Sequence, residues 1–208
     1  MVTDSELLLA LISFAFVTSI TPGPNNLMVM TSGAAFGWFK TVPHLAGIAF
    51  GFSTMIGAVV LGLGVVLSDN PMALQVLRFA GAAWMAWLAW QLAKAGMRPS
   101  TPSPEGAAES AARPMRFHEA AMFQWVNPKA WTMAIGASAA YSGISETPLW
   151  SAIWLVGVFV LVGPVCNSVW VLAGQSLKRL TMSGVGARYF SFAMAALVAF
   201  NAVLILLA

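Results

Sequence analysis

Six long apolar stretches, separated by short polar breaks, account for most of this chain. They run roughly from Leu7 to Ala35, His44 to Leu67, Met72 to Ala93, Ala120 to Tyr141, Leu149 to Ala173 and Arg188 to Leu207. A helix rises about 1.5 Å per residue, so about 20 apolar residues cross the hydrocarbon core of a bilayer. The pattern therefore predicts an all-α membrane protein with six transmembrane helices. Three connections, Gly37 to Pro43, Ser68 to Pro71 and Ser142 to Pro148, contain Gly or Pro as turns do. The connection from Lys94 to His118 differs, holding Pro99, Pro102, Pro104 and Pro114 among Ser, Thr, Ala and charges. It reads as a flexible cytoplasmic linker (94–118) inside a single transmembrane domain (1–208), between one half (1–93) and another (119–208).

Composition strengthens the membrane reading. Of 208 residues only 8% are charged and 59% are hydrophobic, whereas soluble domains carry about 25% charged residues. So few charges could not cover a water-exposed surface. The net charge of +3 does not point to nucleic acid, because the cations cluster beside apolar stretches rather than on one face. With the N-terminus placed outside, the inner connections carry Lys40, Lys94, Arg98, Arg113, Arg116, Lys178, Arg179 and Arg188, and the outer ones only Arg78. Both termini are thus expected on the side away from the cytoplasm. Asp4 and Glu6 stand where a cleaved signal would be basic, so the first stretch is expected to remain as a span. Cys166 is the single cysteine, and its place in an apolar run suits a small packing residue.

Three spans per half means that the second half enters from the opposite side, so any likeness between the halves is that of an inverted repeat. The likeness is visible. The first span contains Thr21-Pro22-Gly23-Pro24-Asn25-Asn26 and the fourth contains Asn127-Pro128-Lys129-Ala130. Each opens its half with a proline break inside an apolar run. Prolines 22 and 24 cannot donate backbone hydrogen bonds, which leaves carbonyls such as those of Thr18 and Ile20 without helical partners. In lipid such groups cost several kcal/mol unless protein or a wet cavity satisfies them. Thr21 is expected to cap a new half-helix with Pro22 in its first turn, Asn25 and Asn26 following. The positive end of that half-helix would favour an anionic group such as a carboxylate. The alternative is a kink that only shapes packing.

Lys129 lies about ten residues into the fourth span, where a lysine costs about 2.5–3.5 kcal/mol on insertion scales. It serves the solute or coupling, or else pairs with carbonyls freed by the breaks. No carboxylate falls at mid-membrane, which suits a net-neutral solute and leaves no carboxylate proton relay. Asn167, beside Pro164, adds a polar group to the same cavity or makes an interhelical hydrogen bond. His44 reads as a boundary residue. Gly33 and Gly37, like Gly47 and Gly51, have the spacing of close helix contact.

Taken together, Thr21–Asn26, the run from Phe79 through Trp84 and Trp87 to Trp90, and Asn127–Ala130 resemble, in order and spacing, the signatures of the lysine exporter (LysE/RhtB) family of amino-acid efflux carriers. Asn167, Trp170 through Gly174, Leu177 and Arg179-Leu180 resemble its cysteine and O-acetylserine exporter branch. Some homoserine and threonine exporters of the family carry an acidic residue near the position of Asn167, which this chain lacks. The resemblance implies a bacterial inner-membrane exporter driven by the proton gradient, acting without a cofactor and associating as a homodimer. The expected function is secondary active export of a small neutral amino acid or close derivative. Thr21, Pro22, Gly23, Pro24, Asn25, Asn26, Asn127, Pro128, Lys129 and Asn167 would form the substrate site. A non-transport membrane subunit is the alternative. An intramembrane enzyme is disfavoured because no nucleophile with an acid–base partner lies at depth.

Overall fold

A chain segment in lipid must satisfy its own backbone, and a helix does so within one segment. Helices are what the six stretches form. The computed structural model describes residues 4–97, 113–181 and 184–207. The first stretch is α1 (Asp4–Ile20) and α2 (Pro24–Phe36), bent by 57° at the break between them. The second is α3 (Trp38–Ala58), which continues through a π-helical stretch (Val59–Leu63) into α4 (Gly64–Ser68). Within that stretch Gly62 has φ 130°, a conformation that a side chain would oppose. The third is α5 (Pro71–Met97). The fourth is again split, into α6 (Phe117–Gln124) and α7 (Pro128–Tyr141). A 3₁₀ turn (Ser142–Ile144) leads to α8 (Pro148–Thr181), and α9 (Gly184–Leu207) ends the described chain.

Among the described residues, Trp38–Val66 and Pro148–Leu177 are each long and apolar enough to cross a bilayer, and the bent α1–α2 pair qualifies as one broken span. The expected connection from Gly37 to Pro43 is shorter than its residues suggested. Only Gly37, at φ 80°, separates α2 from α3, and Pro43 lies inside α3. The tight turn is held by Thr41, whose hydroxyl donates to the Gly37 carbonyl (2.9 Å) and accepts from Ser32 (2.9 Å). With the helix start fixed this way, Pro43 forfeits one backbone bond without ending it. Of the linker expected over 94–118, Lys94 to Met97 complete α5, Arg113 to Arg116 lead non-helically into α6, Phe117 and His118 open α6, and residues 98–112 lie outside the described residues.

The helices of one half pack mainly on those of the other. α5 lies on α9, α3 on α8, α1 and α2 on α8, and α6 on α3. Small residues allow this closeness. A Cβ at Gly33 would overlap the Val171 carbonyl on α8, and one at Gly174 would overlap the Met30 carbonyl on α2. Gly47 and Gly51 likewise admit the backbone of α6 at Phe117 and Ala121. Gly37 does not take part as its spacing suggested, since nothing lies within 4 Å of its Cβ position. The outer surface is apolar: Leu9, Phe50, Phe79, Trp90, Leu161 and Phe200 are each more than half exposed. The interior holds Asn26, Ser32, Thr41, His44, Gln124, Asn127, Ser151 and Asn167. Apolar outside and polar inside is the distribution that a lipid solvent imposes.

Candidate solute site at the paired helix breaks

The α1–α2 break satisfies its carbonyls from four directions. The Thr21 hydroxyl donates to Thr18 O (2.9 Å), and the Asn26 amide donates to Ser19 O (2.9 Å) and Thr21 O (2.7 Å). The indole of Trp170 on α8 donates to Ile20 O (3.0 Å). Lys129 on α7 completes the set, its ammonium donating to Thr21 O (2.6 Å), Thr21 Oγ1 (2.9 Å) and Pro22 O (3.3 Å). An ammonium has three hydrogens, and all three are used here. The carbonyls of Thr18 and Ile20, expected to be left without helical partners, are therefore occupied by the protein itself.

The new half-helix starts two residues later than its sequence suggested. Gly23, not Thr21, precedes its first turn, with extended backbone and no side-chain cap, and Pro24 takes the first helical position. Thr21 is drawn away because its hydroxyl bridges Thr18 O and Lys129. The first helical bond is Leu27 N to Gly23 O (3.0 Å), so the N–H groups of Asn25 and Asn26 stand ahead of the ladder at the positive end of α2. Gly23 is needed for a second reason: a Cβ there would lie 2.6 Å from Lys129 Cδ. The lysine stem crosses directly over that backbone.

The second break is built more simply. Asn127 caps α7, its side-chain oxygen accepting from Lys129 N (3.2 Å), and Pro128 occupies the first helical position. The proline ring points towards α5, where a Cβ at Gly81 would lie 2.5 Å from it. Asn25 reaches across from α2 to Gln124, the last residue of α6, in a reciprocal amide pair (2.8 and 3.1 Å). Gln124 is fully buried and also donates to Ala120 O (2.9 Å). The two breaks are thus joined twice, by Lys129 and by the Asn25–Gln124 pair.

Between them lies a cavity of about 50 Å³, measured for the centres of water-sized guests. Its polar wall includes Ser19, Asn25, Asn26, Asn127, Lys129 and Asn167, and its apolar wall Ile48, Phe52, Met133 and Phe159. Phe52 and Phe159 meet edge to face with ring centres 5.1 Å apart. Of the expected site residues, Gly23, Asn25, Asn26, Asn127, Lys129 and Asn167 line the cavity. Thr21 and Pro22 hold Lys129, while Pro24 and Pro128 start the half-helices. Asn167, almost fully buried, makes no side-chain hydrogen bond among the described residues, so its amide is open to the cavity. Gln124, Ser19 and the Trp170 indole carry parts of the site that motif reasoning did not assign. Gln124 left a signal, an amide three residues before Asn127 inside an apolar run, and Trp170 stood in the run from Trp170 through Gly174 already singled out.

His44 is not the boundary residue that its place in the sequence suggested. It is only 1% exposed, because α3 begins six residues earlier and packs this face against α6 and its neighbours.

Residues 16–208 match the family model described as LysE type translocator. A cysteine/O-acetylserine efflux protein of Klebsiella pneumoniae is 32% identical over 202 residues, covering 95% of each chain. Proteins of the same name from Escherichia coli K12 and Shigella flexneri are 31% identical over 180 residues, 84% of this chain and 85% of theirs. No solved structure matches this chain.

Proposed function

The chain belongs to the LysE type translocator family, and we propose that it exports a small neutral amino acid or close derivative, of the cysteine and O-acetylserine kind named for its relatives. It is a transport protein and not an enzyme. The observation that carries this reading is the meeting of both proline breaks at one cavity, pinned by the Lys129 ammonium on Thr21 and Pro22. A solute carboxylate would face the N–H groups of Asn25 and Asn26 at the positive end of α2. The open amide of Asn167, the Ser19 hydroxyl and Asn127 would take its remaining polar groups. The side chain would lie against Phe52, Met133 and Phe159.

Size and charge favour the same solute class. A single water needs about 10–15 Å³ by this measure, so about 50 Å³ holds about four waters. Four waters take about 120 Å³ in the liquid, room for a solute of small amino-acid size. The wall contains one cation and no carboxylate, which suits one carboxylate on the solute and no second positive charge.

Six spans in two inverted halves of three complete the proposal, in a bacterial inner membrane with both termini outside. Its support is the reciprocity of the packing: each half lays its broken first span on the second span of the other. Movement of one half against the other would expose the cavity to each side in turn, driven by the proton gradient.

Export from overexpressing cells, compared with Lys129→Ala at matched membrane abundance, tests the mechanism. Loss of the ammonium removes three hydrogen bonds between the halves, and efflux of cysteine or O-acetylserine should fall at least tenfold. Undiminished efflux in the variant would remove Lys129 from the mechanism.

A further inference from the structure

Buried polar side chains in this protein are partnered or open to the cavity, with one exception among the described residues. Both ring nitrogens of His44 are enclosed and neither has a hydrogen-bond partner. A neutral imidazole carries one N–H donor and one acceptor, and leaving either unsatisfied costs about 1–3 kcal/mol. Such a group is held at a cost that another arrangement of the same protein would relieve.

Its place shows which arrangement that is. His44 lies one helical turn before Ile48, which lines the cavity, on the side of α3 towards its Trp38 end. Three residues on, Gly47 admits the α6 backbone at Phe117 and packs against Ala120. His44 is therefore shut in along the contact of α3 with α6, a contact between the two halves. Glu119 in the first turn of α6 is the carboxylate whose charge reaches it. That carboxylate is held by Arg113 and by the Arg116 N–H. His118 on α6 and Lys40 on α3 are both exposed. α2 carries no titratable residue. On α7, Lys129 is committed to the α1–α2 break, and the hydroxyl of Tyr141 to Ala10 O. On α8, Cys166 is directed at Phe16 O, and the side chains of Lys178 and Arg179 lie outside the described ones.

We propose that His44 is a proton-binding site that links parting of α3 and α6 to protonation. In the packed arrangement the ring is neutral. When the two helices separate, water reaches it, one proton moves from water to the free ring nitrogen, and the imidazolium faces Glu119. Closure returns that proton to water. Parting of the halves on this side of the cavity then takes up one proton, and acid on this side favours the parted form by up to about tenfold per pH unit. The inference rests on the exporter reading for its place in a cycle, but its protonation is testable without transport.

Purified protein in liposomes, loaded with cysteine or O-acetylserine and followed by solute exchange, should speed up about tenfold as the pH falls from 8 to 6. His44→Gln should vary less than twofold over that range. Matching pH profiles for the two proteins would overturn the proposal. The chain has two histidines, so His118→Gln leaves His44 as the sole imidazole for NMR. Its ring signal should show a charged population that grows between pH 8 and 5. A ring that stays neutral throughout would overturn the proposal even if His44→Gln does not fold. Absence of exchange by the wild type would sink the exporter reading instead, and the NMR measurement then decides His44 alone.

Discussion

Single side chains at the centre of this protein do structural work that their residue types do not announce. Asn25 and Gln124 illustrate it. Each could serve a solute, yet they spend their amides on one another across the junction of the halves. Replacing Gln124 with Leu would strand the Asn25 amide and remove the bond to Ala120 O. One buried polar group left unpaired costs about 1–3 kcal/mol, so detergent-solubilised Gln124→Leu should unfold several degrees below the wild type. An unchanged melting temperature would show that water replaces the pair. Lys129 repeats the lesson. Its depth in an apolar stretch marked it as consequential from sequence, and its three acceptors became visible only once the α1–α2 break lay beneath it. Asn167 is the converse, an amide without a protein partner that the tertiary structure left open to the cavity.

At the level of helices, the proline breaks were legible and their details were not. Two prolines in the first stretch and one in the fourth cannot extend a regular helix, so both breaks follow from local chemistry. The exact start of α2 does not. Thr21 is a good cap by type, but it binds Thr18 O and Lys129 instead, and the helix starts after Gly23. Close helix contacts show the same division. Spacing picked out Gly47 and Gly51 correctly, gave Gly37 a close contact that it does not make, and left the Gly33–Gly174 pair half seen. That pair sets the approach of α2 to α8. Gly174→Val would drive a side chain into the Met30 carbonyl and Ala34 N, contacts with no flexible end to yield. Folded protein recovered from membranes should fall at least tenfold, and recovery equal to wild type would mean that α2 and α8 can slide apart cheaply.

For the whole molecule, the proposed six spans and orientation make a direct prediction. Single cysteines placed at Asp4 and Gly143 in a Cys166→Ser background should react with a membrane-impermeant thiol reagent in intact cells. One at Lys40 or Arg116 should react only after the membrane is opened. The reverse split would overturn the orientation, and reaction of all four from outside, or any other split, would change the span count. The packing of α5 on α9, α3 on α8 and each broken span on the opposite half is the arrangement that two inverted halves would share. The sequence by itself determined the membrane solvent, the helical class, the positions of the two breaks and the cost of Lys129 at depth. Each depends on properties local in the chain: run length, missing N–H groups and charge. The tertiary structure alone decided that the breaks face one another, that Gln124 and Trp170 complete them, and that His44 is sealed without a partner. Those outcomes depend on which residues far apart in sequence share a wall, and no local pattern encodes that.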